Sequence, residues 1–170
     1  GLEPDQVDRL GAEAADGQVL APANYNSPGQ IVISGHIEAC RRAAELAESD
    51  RFGGRVIPLK VAGAFHTDLM QPAADGLAQA VADAPFRQPK AQVIANVTAR
   101  PYETVEQIRE GLIRQLTNPI QWQQSMEWLA GQEDTDIYEV GPGRVLHGLM
   151  RQVNPKTKVT NINTADTIPS

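Results

Sequence analysis

The 170-residue sequence predicts an α/β fold, and three observations carry the prediction. Apolar residues recur at helical spacing in one set of segments. Short runs rich in Val, Ile and Tyr, bounded by turn formers, separate them. Over residues 62–170 the helical and strand-like segments alternate, which is the pattern of an α/β layer with a mainly parallel sheet.

Each element has its own reason. Pro4 suits a first helical turn, where its missing N–H would go unpaired anyway, and Val7, Leu10 and Ala14 then recur on one face until Gly17. Residues 19–25 and 30–34 have strand composition. Asn26-Ser27-Pro28-Gly29 between them is dense in turn formers, so the pair is expected as a hairpin with a polar tip. Residues 37–49, rich in Ala, Glu, Leu and Arg, predict a helix ending before Gly53-Gly54, and residues 55–61 return to strand composition. Helix, strand, strand, helix, strand is a ferredoxin-like order without its first strand. The expected division is therefore a small subdomain over 1–61 and a larger one over 62–170.

The second unit opens with a small-residue loop, Gly63-Ala64-Phe65-His66-Thr67. A helix should follow with Met70, Ala73, Leu77, Val81 and Ala84 on one face, Pro72 being tolerable only near its start. Residues 91–97 read as a buried strand. Thr104-Val105-Glu106-Gln107 has the spacing of a capping box ahead of Ile108 and Leu112, and Asn118-Pro119 ends that helix. A helix over 122–129, a strand over 137–140, a helix over 145–153 and a strand over 159–162 complete the pattern.

Composition bounds the function. With 41% hydrophobic and 21% charged residues the chain is globular, and its net charge of −6 argues against nucleic acid as the main partner. Cys40 is the only cysteine, so neither an internal disulfide nor a thiolate cluster is available; in a helix it reads as a packing residue. No apolar run approaches the ~20 residues of a membrane span, and no basic-then-apolar leader is present, so the expected compartment is the cytoplasm. The chain opens at Gly1, without an initiator Met, and reads as a piece of something longer.

Three histidines could do proton chemistry. His36 and His147 fall in or beside amphipathic helices and read as structural or solvated, whereas His66 follows a small-residue loop that lets a substrate approach. On local grounds an inert loop histidine and a general base both stay open for His66. The tip from Asn24 to Gln30 concentrates amides that donate and accept hydrogen bonds, and on local grounds turn chemistry, in which Asn brackets its own backbone, is the simpler reading of them. Gly141-Pro142-Gly143, between strand and helix, could offer N–H groups to an anion or merely let the helix pack closely. No histidine spacing suggests a metal. The five serines, Ser27, Ser34, Ser49, Ser125 and Ser170, all lack the Gly-x-Ser-x-Gly elbow, leaving a base without a nucleophile.

Four segments together resemble the malonyl-CoA:acyl-carrier-protein transacylases: Asn24 to Gly35 (NYNSPGQIVISG), Gly63 to Met70 (GAFHTDLM), Arg114 to Trp122 (RQLTNPIQW) and Tyr138 to Leu146 (YEVGPGRVL). The resemblance covers essentially the whole chain. It implies that residues 1–61 match a ferredoxin-like small subdomain lacking its first strand, and 62–170 the C-terminal part of an α/β-hydrolase-like large subdomain, with the active site between them. It also implies ping-pong transfer: a serine attacks the malonyl thioester, coenzyme A leaves, and the pantetheine thiol of acyl carrier protein collects the malonyl group. His66 matches the base, and Gln115 the residue whose backbone carbonyl holds its ring, the task an aspartate performs in other triads. Asn26 matches a cleft amide near the thioester, and Asn24 stiffens the same tip. No cofactor is implied beyond the substrates malonyl-CoA and phosphopantetheinyl acyl carrier protein.

The departures are as informative. The family's oxyanion-hole segment, its Gly-His-Ser-x-Gly elbow and its malonyl-binding arginine all correspond to positions before Gly1. The expectation is a half-enzyme, inactive alone and dependent on a serine-bearing N-terminal half. The alternative is a non-catalytic module that docks acidic acyl carrier protein on a basic patch of Arg41, Arg42, Arg51 and Arg55.

Overall fold

The computed structural model describes residues 1–132 and 135–168. Its first layer is a hairpin covered by two helices. Helix α1 (Pro4–Ala15) starts at its proline, and the Gln6 side-chain oxygen accepts the Glu3 N–H at 2.9 Å. It ends where Asp16 and Gly17 turn left-handed, at φ 46 and 74. Strands β1 (Leu20–Ser27) and β2 (Gln30–Gly35) pair antiparallel, and α2 (Ile37–Ala47) runs back against α1.

Small side chains set the packing distance. Ala39, Ala43 and Ala47 form the buried face of α2, and Val7, Leu10 and Ala14 that of α1, the face its spacing predicts. Leu10, Ala14, Ala43 and Ala47 form one cluster, with Leu2, Leu20, Ile33 and Phe52 packed around it. Burying Leu10 stabilises the layer by about 1.5–3 kcal/mol. At the strand-to-helix corner the Val19 carbonyl lies so close to Gly35 that an added Cβ would sit 2.1 Å from it. Only glycine fits there.

The remaining elements are α3 (Gln71–Asp83), α4 (Val105–Arg114), α5 (Trp122–Ala130), β3 (Ile137–Val140), α6 (Val145–Val153) and β4 (Val159–Ile162). Strands β3 and β4 are parallel, joined by α6, because parallel neighbours need a crossover. The second layer is stitched to the first. Ile120, between α4 and α5, donates to the Ala23 carbonyl and accepts from the Tyr25 N–H, each at 2.9 Å. Ser27 donates to Gln152 of α6 at 2.6 Å. The α/β architecture is thus present as two small sheets, one antiparallel and one parallel.

Several expectations are corrected. Residues 55–61 form no strand: Ile57, Leu59 and Val61 stand 66%, 57% and 65% exposed, and no segment among the described residues pairs with them. Strand propensity expresses packing against neighbours, and without a ladder it is not realised. Residues 91–97 likewise keep only one bridge, Ile94 to Pro101. Of the face expected for α3, Val81 is buried and Met70, Leu77 and Ala84 are half-buried, whereas Ala73 is exposed; Ala74, seven residues before Val81 and so on the same stripe, is buried in its place. The capping box of α4 is half made. Thr104 accepts from the Gln107 N–H at 3.2 Å, while the Gln107 side chain reaches the Glu103 N–H at 2.8 Å instead of that of Thr104.

Candidate active site

The connection between α4 and α5 organises the site. Helix α4 closes on its C-cap, Gln115, and the loop carrying His66 uses the carbonyls of Gln115 and of Leu116, which follow the helix. The His66 N–H donates to the Leu116 carbonyl at 3.0 Å, and His66 Nδ1 lies 2.6 Å from the Gln115 carbonyl oxygen. A carbonyl only accepts, so Nδ1 carries the proton and Nε2 keeps its lone pair. That is the tautomer a base requires. His66 is half-buried and its backbone is left-handed, at φ 64. The Gln115 side chain is held in turn, accepting from Asn96 Nδ2 at 3.1 Å, and the Asn96 carbonyl accepts the Gln121 N–H at 2.7 Å.

The same connection grips the hairpin. The β1–β2 register slips twice, between Pro22 and Asn24 and between Tyr25 and Ser27, so Ala23 and Asn26 are extra residues on β1. Such bulges re-aim side chains and occur beside active sites. The Ala23 bulge releases its carbonyl to Ile120. Asn24 bridges Ile120, and Asn26 occupies the second bulge; both are half-buried. One strut, residues 115–121, therefore fixes the His66 loop at one end and the Asn24–Asn26 tip at the other. The bulges carry no signal in the sequence beyond the density of turn formers.

No hydroxyl among the described residues is placed as His66's partner. Ser27 is buried and donates to Gln152, Ser49 donates to the Leu46 carbonyl at 2.6 Å, and Ser125 to the Gln121 carbonyl at 2.9 Å. Ser34 lies within β2, and Ser170 lies outside the described residues. Cys40 sits in α2, where burial pushes its thiol above the ordinary range and away from the thiolate. Clefts of about 310 and 380 Å³ exist at β3–β4 and beneath Tyr102, and neither is lined by His66.

The remaining polar features are internal. The Gly141-Pro142-Gly143 turn does present helix N–H groups to an anion, but that anion is Glu139. Its carboxylate, 9% exposed, accepts from the Leu146 and His147 N–H groups at 2.9 Å each and from the Asn161 amide at 2.7 Å. Desolvation pushes this carboxyl up, yet the His147 and Leu146 amides, Asn161 and the His147 ring outweigh it and hold it below the ordinary glutamate value. The sequence reading missed Glu139. His36 Nδ1 lies 3.0 Å from the Val19 N–H, a structural role at the start of α2.

Most of the arginines expected to form a basic patch are engaged within the chain. Arg41 pairs with Glu38 and Glu45, and Arg51 with Glu13. Arg42 turns inward to the carbonyls of Ala14 and Ala15 at 2.7 and 2.8 Å, capping α1. Three of the four arginines are thus already paired within the chain.

Residues 8–170 match the family model described as acyl transferase domain. The chain is 43% identical over 153 residues to a malonyl CoA-acyl carrier protein transacylase of Escherichia coli strain K12, covering 90% of this chain and 49% of that protein. It is 36% identical over 170 residues to one from Staphylococcus aureus strain COL, covering 99% and 54%. The crystal structure of malonyl-CoA:acyl carrier protein transacylase from Xanthomonas oryzae pv. oryzae superposes with a TM-score of 0.92 at 39% identity, over 98% of this chain and 53% of that one. A malonyl-transacylase in complex with a type II PKS acyl-carrier protein gives 0.91 at 37%, over 98% and 54%. The chain spans about half the length of the curated relatives it matches.

Proposed function

The chain belongs to the acyl transferase domain family, and from that premise we propose that it forms the base-bearing half of a malonyl-CoA:acyl-carrier-protein S-malonyltransferase of fatty-acid biosynthesis. The observation that carries this reading is the 2.6 Å bond from His66 Nδ1 to the Gln115 carbonyl. It leaves Nε2 free to take a proton from a serine hydroxyl supplied by a segment outside these 170 residues. That oxygen attacks the malonyl thioester, and His66 passes the proton to the departing coenzyme A thiolate. In the second half His66 takes the proton of the pantetheine thiol of acyl carrier protein, the sulfur takes the malonyl group, and His66 returns the proton to the departing serine oxygen.

Asn26 serves the substrate arm and Asn24 stiffens the tip that carries it, and the chemistry needs no group beyond malonyl-CoA and the pantetheine of acyl carrier protein. Residues 1–61 act as the small subdomain and 62–170 as part of the large one, with the 115–121 strut crossing between them. The cytoplasm is the compartment this composition suits. The relatives named as malonyl transacylases support the donor, and the solved complex with an acyl-carrier protein supports the acceptor.

The test is reconstitution. Supplying a serine-bearing segment should produce malonyl transfer to acyl carrier protein, and His66→Ala should lower its rate by about 10³-fold or more. Transfer that ignores His66 would remove the assigned mechanism.

A further inference from the structure

We propose that Thr67 is a positioning residue for His66: by donating to the Ala64 carbonyl, its hydroxyl holds the left-handed backbone from which the imidazole reaches Gln115. The proposal rests on His66 being the base. Thr67 precedes the 3₁₀ turn Asp68–Met70, the place where a threonine hydroxyl ordinarily accepts from the N–H groups that follow. It makes no such bond. Its Oγ1 turns back instead and donates to the Ala64 carbonyl at 2.7 Å, closing a ring of backbone around Phe65 and His66.

Two further observations give the bond a task. Thr67 is 1% exposed, so its side chain has one defined position. His66 has φ 64, a region disfavoured for any residue with a Cβ, and such a backbone persists only where its surroundings over-determine it. Three hydrogen bonds do so: Thr67 Oγ1 to Ala64, the His66 N–H to Leu116, and the ring to Gln115. Two belong to His66 itself. The third comes from a neighbouring side chain, and valine would fill the same volume without making it.

The experiment compares Thr67→Val and Thr67→Ser in the full-length enzyme that contains this chain. The readouts are kcat, KM for malonyl-CoA, and the downfield proton resonance of the His66 Nδ1–H bonded to Gln115. T67V should lower kcat by about tenfold or more, leave KM within about twofold, and broaden or shift that resonance. T67S should restore both kcat and resonance. Thr67→Ala, which also removes the hydroxyl, replaces T67V if valine is not accommodated. An unchanged resonance and kcat in T67V, or a T67S enzyme as impaired as T67V, would overturn the proposal. Should His66→Ala leave transfer intact, the base assignment fails separately, and the resonance alone still decides whether Thr67 places the ring.

Discussion

The hairpin of the amino-terminal layer and the runs 55–61 and 91–97 have similar strand composition and opposite outcomes. In the layer, α1 and α2 bury Leu10, Ala14, Ala43 and Ala47 against one another, and β1 and β2 pair along their length. In the later runs Ile57, Leu59 and Val61 face solvent, Val93 is exposed, and the two predicted strands reduce to a single bridge. The difference teaches that an apolar run becomes a strand only where a neighbour completes the ladder. The relatives are about twice as long as this chain. On the proposed reading, their other half covers the exposed set.

Substitutions on the two sides should separate accordingly. The largest effect belongs to Leu10→Ala, which leaves a cavity at the centre of the layer and should cost about 2–5 kcal/mol in urea unfolding. Gly35→Ala comes next, at about 1–3 kcal/mol, because its Cβ meets the Val19 backbone and not a movable side chain. Glu139→Gln should cost about 1 kcal/mol at neutral pH by removing the anion from the start of α6. Its sign with pH is set by its depressed folded pKa: the stabilisation is fully present above the unfolded value of about 4.3, and falls as pH drops through the lower folded value. An acid-unfolding series should therefore show the parent losing its advantage over the Gln variant below that pH. The smallest effect is expected at Leu59→Thr, within about 0.5 kcal/mol for the chain alone. A Leu59→Thr cost equal to that of Leu10→Ala would erase the contrast.

Local signals were the legible ones. Pro4 and the Val7, Leu10, Ala14 stripe marked α1, and α6 and β4 lie at 145–153 and 159–162 as expected, since spacing and composition act within a few residues. What was not legible depends on distant partners. Glu139 clamps α6 only because Asn161 and the 145–147 turn meet it in space. Arg42 looked like surface charge, yet it closes α1 from 27 and 28 residues away. Arg109 likewise closes α3, donating to the carbonyls of Val81 and Ala84. At the candidate site the contact between the His66 ring and the Gln115 carbonyl was readable through the two motifs. The bulges at Ala23 and Asn26 and the backward turn of Thr67 were not, because bulges and hydroxyl orientation leave no periodicity.

On the proposed reading this chain supplies the base, and the nucleophile comes from outside it. The most direct measurement is intact mass after incubating the chain alone with isotopically labelled malonyl-CoA. Ser27, Ser49 and Ser125 are tied to other acceptors, and burial holds the Cys40 thiol protonated. No malonyl mass should be added to the chain, and stoichiometric labelling of any residue within it would contradict the assignment of the nucleophile to a segment outside it.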